Sequence, residues 1–135
     1  MAALTGMTIA EFKALSDATL PLVARLGIAV ERLEPGRVVA RMAFQPDNLR
    51  PGGTVSGPAM MGLADYTMYA LVMSLDREAV AAVTININVN FLQKPPPGAV
   101  IAEGRMIKLG RRLAVAEVTL HCADLDGPVA HATGP

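Results

Sequence analysis

Apolar and polar positions alternate in some parts of the chain and follow a helical spacing in others, which predicts an α+β domain. A capping-box spacing at Thr8 and Glu11 opens a short helix that ends near residue 16. Residues 57–75 are almost uncharged and begin with Pro58, which predicts a long buried helix. The strict alternation over residues 83–91 predicts the clearest strand. Further strands are predicted at residues 27–33, 37–44, 99–109, 111–122 and 128–133.

Turn-forming residues separate these elements. Pro35 and Gly36 predict a turn, residues 45–56 contain too many Pro, Gly and Asn residues for regular structure, and Gly110 marks a hairpin. Each alternating strand has one face to bury, so we expect an antiparallel sheet wrapped around the long helix. A membrane span is the competing interpretation of that helix, but Asp65 in its middle and the interruptions at Gly57, Pro58 and Gly62 argue against it.

The composition limits the classes of function. A chain of 135 residues forms one domain, residues 1–135. Equal numbers of acidic and basic residues and 4% aromatic residues exclude a typical nucleic-acid-binding surface. A mean hydropathy of +0.38 with 18% charged residues is high for a small monomer, so we expect association with further copies of the chain.

Cysteine and histidine usage gives expectations about location and metals. The single Cys122 cannot form an intrachain disulfide and no secretory signal is recognisable, so we expect a cytoplasmic protein. His121, His131 and one cysteine do not have the spacing of a metal site, and no nucleophile-elbow motif is present. The sequence therefore predicts neither a metal nor a serine triad.

Asp65 is the residue of the long helix that most requires an explanation. On a helix it shares a face with Met61, Gly62, Met68 and Tyr69, so we expect its carboxylate to lie among apolar side chains. Loss of hydration makes a carboxylate more basic, which suits a general base or a nucleophile. The alternative is a structural Asp that is hydrogen-bonded to backbone or to a tyrosine.

The start of this helix is the second candidate. Ser56 or Gly57 as the cap, followed by Pro58, leaves backbone N–H groups and the positive end of the helix dipole where an oxyanion could bind. The same residues also fit an ordinary helix start. Asp65 follows Gly57 by eight residues, roughly 12 Å along the axis. One carbonyl group can contact both only if they come from two chains with antiparallel helices.

Several motifs in this order carry a family resemblance: Gly53-Thr54-Val55-Ser56-Gly57-Pro58, Asp65, residues 83–91, Pro97-Gly98 and Leu109-Gly110-Arg111. Over residues 27–133 the chain resembles the hotdog-fold acyl-CoA thioesterases of the phenylacetate-pathway type. The resemblance implies that Asp65 is the base or nucleophile, that Gly57 donates its N–H to the thioester oxygen, and that Thr84 orients the attacking water. It also implies a site between the subunits of a homodimer, often within a homotetramer, and no cofactor apart from the CoA of the substrate.

Two positions depart from the family pattern. Ser56-Gly57-Pro58 stands where the family usually has His-Gly-Gly, so an imidazole is missing and Pro58 has no N–H to donate. Arg50 stands where an Asn is common, and Asn48 is a candidate to replace that Asn. Both departures affect the groups that polarise the carbonyl, so activity could be slower, narrower in substrate or lost.

Basic residues near the Gly110 hairpin are candidates for contacts with the phosphates of CoA: Lys108, Arg111 and Arg112. The alternative is that these residues form a solvated hairpin. No sequence feature predicts the acyl group, because flexible methionines such as Met60 and Met73 surround the expected tunnel.

Three activities are compatible with these features. The first is hydrolysis of an acyl-CoA thioester to a carboxylic acid and free CoA. The second is non-catalytic binding of an acyl-CoA or another small apolar ligand. The third is dehydration of a hydroxyacyl thioester, which typically needs an active-site histidine, whereas His121 and His131 lie far from the motif residues along the chain and fit strand positions better.

Overall fold

The computed structural model describes residues 5–83, 85–110, 113–122, 125 and 127–134. Its elements are α1 (Ile9–Thr19), α2 (Pro21–Leu26), β1 (Ile28–Glu34), β2 (Arg37–Met42), a 3-10 turn (Pro46–Asn48), α3 (Gly57–Leu75), β3 (Asn88–Phe91), β4 (Val100–Leu109), β5 (Ala114–His121) and β6 (Ala130–Gly134). The predicted order of a helix, two strands, a loop, a long helix and four strands is confirmed. The helix α2 is an addition.

The six strands form one antiparallel sheet in the order β1-β2-β4-β5-β6-β3. Alternate residues of the central strands are buried on one face, and α3 packs against that face, with contacts to β1, β2, β4, β5 and β6. These buried residues include Val38, Ala40, Met42, Val100, Ala102, Val118, Leu120, Ala130 and Ala132. The predicted antiparallel sheet around a long helix is therefore confirmed, because one-sided strands need such a cover.

The helix α3 begins and ends where the sequence predicts. Ser56 has extended backbone angles and caps the helix, and Pro58 occupies its first turn. One face of α3 is fully buried against the sheet, with Leu63, Thr67 and Leu71 at 0% exposure. The opposite face is exposed at Pro58, Met61 and Asp65, which recur at a helical spacing. The prediction of a buried helix is thus correct for one face only.

A glycine allows α3 to lie close to β4. A Cβ atom on Gly104 would lie 2.8 Å from Thr67 Cγ2 and 2.9 Å from Leu71 Cδ1. Both side chains are completely buried, so neither can turn away into solvent. The position therefore requires a residue without a side chain.

We expect Gly104→Ala to lower the free energy of unfolding by about 1–3 kcal/mol, because the added methyl group overpacks a closed interface. Urea denaturation of the variant beside the wild type measures the change. Gly57→Ala is the matched control, because its Cβ would lie 3.5 Å from Phe91 Cζ, an ordinary contact. Equal denaturation midpoints for Gly104→Ala and the wild type would contradict the expectation.

Two sequence predictions differ from the structure. The strand expected over residues 83–91 is only Asn88–Phe91 long, and Val83 and Ile85 are 80% and 66% exposed. β3 pairs with β6 from Asn88↔Thr133 to Phe91↔Ala130, and the alternation of side chains does not specify where such pairing starts. The second difference is α2, which has a proline in its first turn and ends at Gly27 with a φ of 75°.

The turn between β1 and β2 is confirmed, since Gly36 has a φ of 77° directly after Pro35, as a type II turn requires. Among the helices that the structure describes, α3 included, none is long and apolar enough to cross a membrane.

Candidate active site

The first turn of α3 offers one backbone N–H that the helix itself does not use. The Ser56 hydroxyl accepts a hydrogen bond from Ala59 N at 3.3 Å, and Pro58 has no N–H. The amide of Gly57 is therefore the first-turn donor that remains, and it lies at the positive end of the helix dipole. Gly57 is half-buried, and the position of its absent Cβ faces the ring of Phe91. This geometry suits one oxygen atom that carries developing negative charge.

Asn48 supports the helix start from the preceding loop. It is 6% exposed, its side-chain amide donates to the Leu26 carbonyl at 2.9 Å, and its backbone carbonyl accepts from Ser56 N at 2.8 Å. These contacts tie the end of α2 to the cap of α3. They favour a structural role, and the role of Asn48 in polarising the carbonyl stays a prediction.

Asp65 lies on the exposed face of α3. Apolar residues surround it in the cleft described below, as predicted, but the predicted loss of hydration of its carboxylate is wrong within one chain, where Asp65 is exposed and neighbouring Met61 is 41% exposed. The reason is that α3 is apolar on nearly every side, so the sheet decides which face is buried, and it contacts Leu63 and Thr67 instead. Asp65 borders a large cleft on this face.

The cleft has a volume of about 840 Å³ and lies between α3 and the segment that forms α1 and α2. Most of its lining is apolar, and it includes Leu15, Leu20, Leu22, Leu26, Val80 and Val83. Among the described residues that line it, Asp65 alone carries a charge. An apolar cleft with one reactive polar group fits a ligand that is apolar apart from its reacting centre.

Two tyrosines form the wall of the cleft beside Asp65. The Tyr66 hydroxyl lies 2.6 Å from the Ser16 hydroxyl, which connects α1 to α3. The Tyr69 hydroxyl donates to the Val80 carbonyl at 2.8 Å. Burial raises the pKa of Tyr66 and also that of Tyr69, so both hydroxyls stay protonated at neutral pH.

The remaining predicted site residues have different outcomes. Thr84, Arg111 and Arg112 lie outside the described residues, so their roles stay predictions. Lys108 is exposed near the end of β4, and its role as a phosphate contact stays a prediction. Ser56 lies next to Gly57 but uses its hydroxyl as the helix cap.

Both histidines lie on strands, as predicted, and on the face of the sheet opposite α3. His121 is 3.2 Å from Glu103, and His131 is 3.2 Å from Glu117. They alternate with buried residues such as Leu120 and Ala132, so they point away from the cleft. In the described part of the chain, no group of His, Cys, Asp and Glu side chains could hold a metal ion.

Sequence reasoning missed two parts of the site. The first is α2, whose residues Leu22 and Leu26 line the cleft, although Pro21 and Gly27 bracket it with typical helix start and end signals. The second is the contact of Phe91 with Gly57, which joins positions that are distant in sequence, so no local signal could reveal it.

Comparisons with known proteins agree with this geometry. The sequence model of the Thioesterase superfamily matches residues 52–128. A Saccharolobus solfataricus protein named "Putative esterase" is 28% identical over 99 residues, which cover 73% of this chain and 70% of that protein. A Deinococcus radiodurans protein of the same name is 33% identical over 100 residues, which cover 73% of this chain and 62% of that protein.

Comparison with solved structures also finds thioesterase-like proteins. A Silicibacter sp. TM1040 protein described as a "putative thioesterase" has a TM-score of 0.81 and 35% identity, and the match covers 98% of this chain and 91% of that one. A mutant of the phenylacetic acid degradation protein PaaI from Thermus thermophilus has a TM-score of 0.75 and 26% identity, covering 84% of this chain and 95% of that one. These likenesses support thioester hydrolysis in general. The chain therefore belongs to the thioesterase superfamily and has the hotdog fold of its phenylacetate-pathway type.

Proposed function

We propose that this protein hydrolyses an acyl-CoA thioester to a carboxylic acid and free CoA, at a site shared between two subunits of a homodimer. The observation that carries the proposal is the apolar cleft beside α3, in whose described lining Asp65 is the single charged group. Membership of the thioesterase superfamily supports the reaction class. The acyl-CoA substrate and the shared site are our inferences.

The cleft supports an acyl group as the part of the substrate that is bound. Its volume of about 840 Å³ lies within the range of small-molecule sites, and its lining is mainly aliphatic. Burial of each methylene of an acyl chain there contributes about 0.8 kcal/mol. A chain bound in this way leaves the thioester at the rim, near the exposed carboxylate of Asp65.

The reaction needs a base or nucleophile and a donor for the oxyanion. In the first form of the mechanism, the Asp65 carboxylate takes a proton from water while the water oxygen attacks the thioester carbon. The Gly57 N–H stabilises the oxyanion, the C–S bond then breaks, and the proton passes to the CoA sulfur. In the second form, Asp65 attacks the thioester carbon directly, the C–S bond breaks and CoA leaves as a thiolate; water then hydrolyses the resulting anhydride, which frees the carboxylic acid and the Asp65 carboxylate, and a proton from that water passes to the CoA sulfur. The family resemblance assigns the orientation of water to Thr84.

Two subunits are needed because Asp65 and Gly57 are roughly 12 Å apart along one helix axis. Antiparallel packing of two α3 helices would bring Asp65 of each chain towards Gly57 of the other, which gives two equivalent sites. Exposed apolar side chains around this face support a covering partner, namely Met61 at 41%, Val83 at 80%, Ile85 at 66% and Phe91 at 49% exposure. Association of dimers into a tetramer stays a prediction from the resemblance.

The contacts of the CoA phosphates with Lys108, Arg111 and Arg112 stay predictions in this proposal, and Lys108 is exposed. The cytoplasm, where acyl-CoA is available and Cys122 stays reduced, is the proposed location.

Release of free thiol from a panel of acyl-CoAs, from acetyl to palmitoyl and including aryl-acetyl groups, tests the proposal. We expect turnover of acyl groups that are apolar enough to occupy the cleft. The variant Asp65→Asn is the control for hydrolysis by a contaminating enzyme. Binding of these compounds without thiol release would contradict hydrolysis.

Such a result would favour the second candidate, a non-catalytic binder of acyl-CoA or of a small apolar ligand. The observation in its favour is the first turn of α3. The Ser56 hydroxyl accepts a hydrogen bond from Ala59 N as the helix cap, and Pro58 has no N–H to donate. Gly57 alone then remains to polarise the carbonyl. Dehydration of a hydroxyacyl thioester is not supported, because His121 and His131 lie on the opposite face of the sheet.

A further inference from the structure

Two cavities lie along α3 and share one wall. The cleft beside Asp65 has a volume of about 840 Å³, and a second cavity of about 150 Å³ lies further towards the end of the helix. Tyr69, Ala82 and Val83 line both of them. Tyr69 is one helical turn after Asp65, so this wall stands directly beyond the carboxylate.

Contacts on two sides hold the Tyr69 ring in this position. The ring centroid lies 5.9 Å from that of Phe12, whose side chain is fully buried. The Tyr69 hydroxyl donates to the Val80 carbonyl at 2.8 Å, and this bond ties the ring to the segment that carries Ala82 and Val83. The wall therefore consists of one aromatic ring and a short loop that the ring itself anchors.

The smaller cavity has a mixed lining. It includes the apolar side chains of Met68, Val72, Leu113 and Ala116 and also the carboxylate of Asp76. Its volume of about 150 Å³ is that of a cavity that accommodates a molecule of the size of benzene. Removal of the wall would thus extend the cleft by the space of a short hydrocarbon segment.

We infer that Tyr69 is a specificity-determining residue that ends the acyl-binding cleft and so limits the length of the acyl chain. The inference rests on the proposed function, because it assigns the acyl group to the cleft beside Asp65. The preferred substrates are acyl-CoAs whose chains end before the Tyr69 ring. Longer chains meet the ring and lose the burial of their terminal carbons.

The test compares Tyr69→Ala with Tyr69→Phe on straight-chain acyl-CoAs from acetyl to palmitoyl. In Tyr69→Ala we expect the optimum of kcat/KM to move to longer chains, with the ratio for long over short substrates raised at least about tenfold. Tyr69→Phe loses the bond to Val80 but keeps the ring, which Phe12 still contacts, so a cleft that the ring ends should keep its wild-type optimum, whatever the rate. An unmoved optimum in Tyr69→Ala, or the same shift in both variants, would overturn the inference.

Further measurements separate failure of this inference from failure of the proposed function. Tyr69→Leu has a smaller apolar side chain that fills part of the space, and it should give a shift in the same direction if Tyr69→Ala does not fold. If the wild type releases no thiol, the proposed hydrolysis has failed. Calorimetric binding of the same acyl-CoAs then shows whether the longest chain bound increases in Tyr69→Ala, and an unchanged length limit rejects the role of Tyr69.

Discussion

Asp65→Asn is expected to lower kcat/KM for acyl-CoA hydrolysis by about 10²–10⁴-fold, because a positioned base or nucleophile contributes that much and an amide can serve as neither. The side chain keeps its size, and Asp65 is exposed in the single chain, so the change in folding stability should stay within about 0.5 kcal/mol. Free-thiol release measured over a range of substrate concentrations gives both kcat and KM. We expect the loss mainly in kcat, since the carboxylate acts in the transition state.

The matched control for this change is Glu31→Gln. Glu31 is an exposed carboxylate on β1 and does not line the cleft, so the same chemical substitution there should leave hydrolysis unchanged. If Asp65→Asn retained full activity, neither form of the mechanism could be correct. The cleft would then have to act on its ligand through a different group, or only bind it.

Gly57→Pro is expected to lower kcat by about 10²–10³-fold, the usual effect of removing one oxyanion donor. Proline suits the first position of a helix, and the extended backbone of Ser56 tolerates a following proline, so the fold should persist. Gly57→Ala is the matched control, because it retains the N–H and its Cβ makes an ordinary contact with Phe91. Equal losses in both variants would show that the N–H is not the relevant group.

Mixed dimers of Asp65→Asn and Gly57→Pro chains test whether the two groups come from different subunits. In a mixed dimer one site has both groups intact and the other lacks both, so random mixing should restore about a quarter of the wild-type activity. Coexpression of the two chains, followed by the thiol assay, measures this recovery. Activity no greater than that of either parent would mean that the site is not shared.

The sequence was most informative where local chemistry decides the structure. The start of α3 could be predicted because Ser56 caps it and Pro58 fits its first turn, both of which are properties of neighbouring residues. The turn at Gly36 was predictable for the same reason. The family resemblance named the fold and the reaction class, and the superfamily match agrees with both.

The sequence was least informative where a distant partner decides the structure. Alternation over residues 83–91 shows which side chains share a face, but it does not show which of these residues pair with another strand, and the pairing with β6 runs from Asn88 to Phe91. The exposure of Asp65 was mispredicted for a similar reason. Since α3 is apolar on almost all sides, its sequence does not indicate which side the sheet covers, and Leu63 and Thr67 take that position.

The close approach of β4 to α3 at Gly104 limits which parts of this protein can change when its substrate preference changes. Gly57 and Asp65 both lie on α3, which packs against the sheet without free space at Gly104, so the position of each group on its subunit is the same for every substrate. Changes of substrate preference are therefore expected in α1, α2 and the segment after α3, whose residues line the cleft. These residues can be substituted while Gly57 and Asp65 keep their positions.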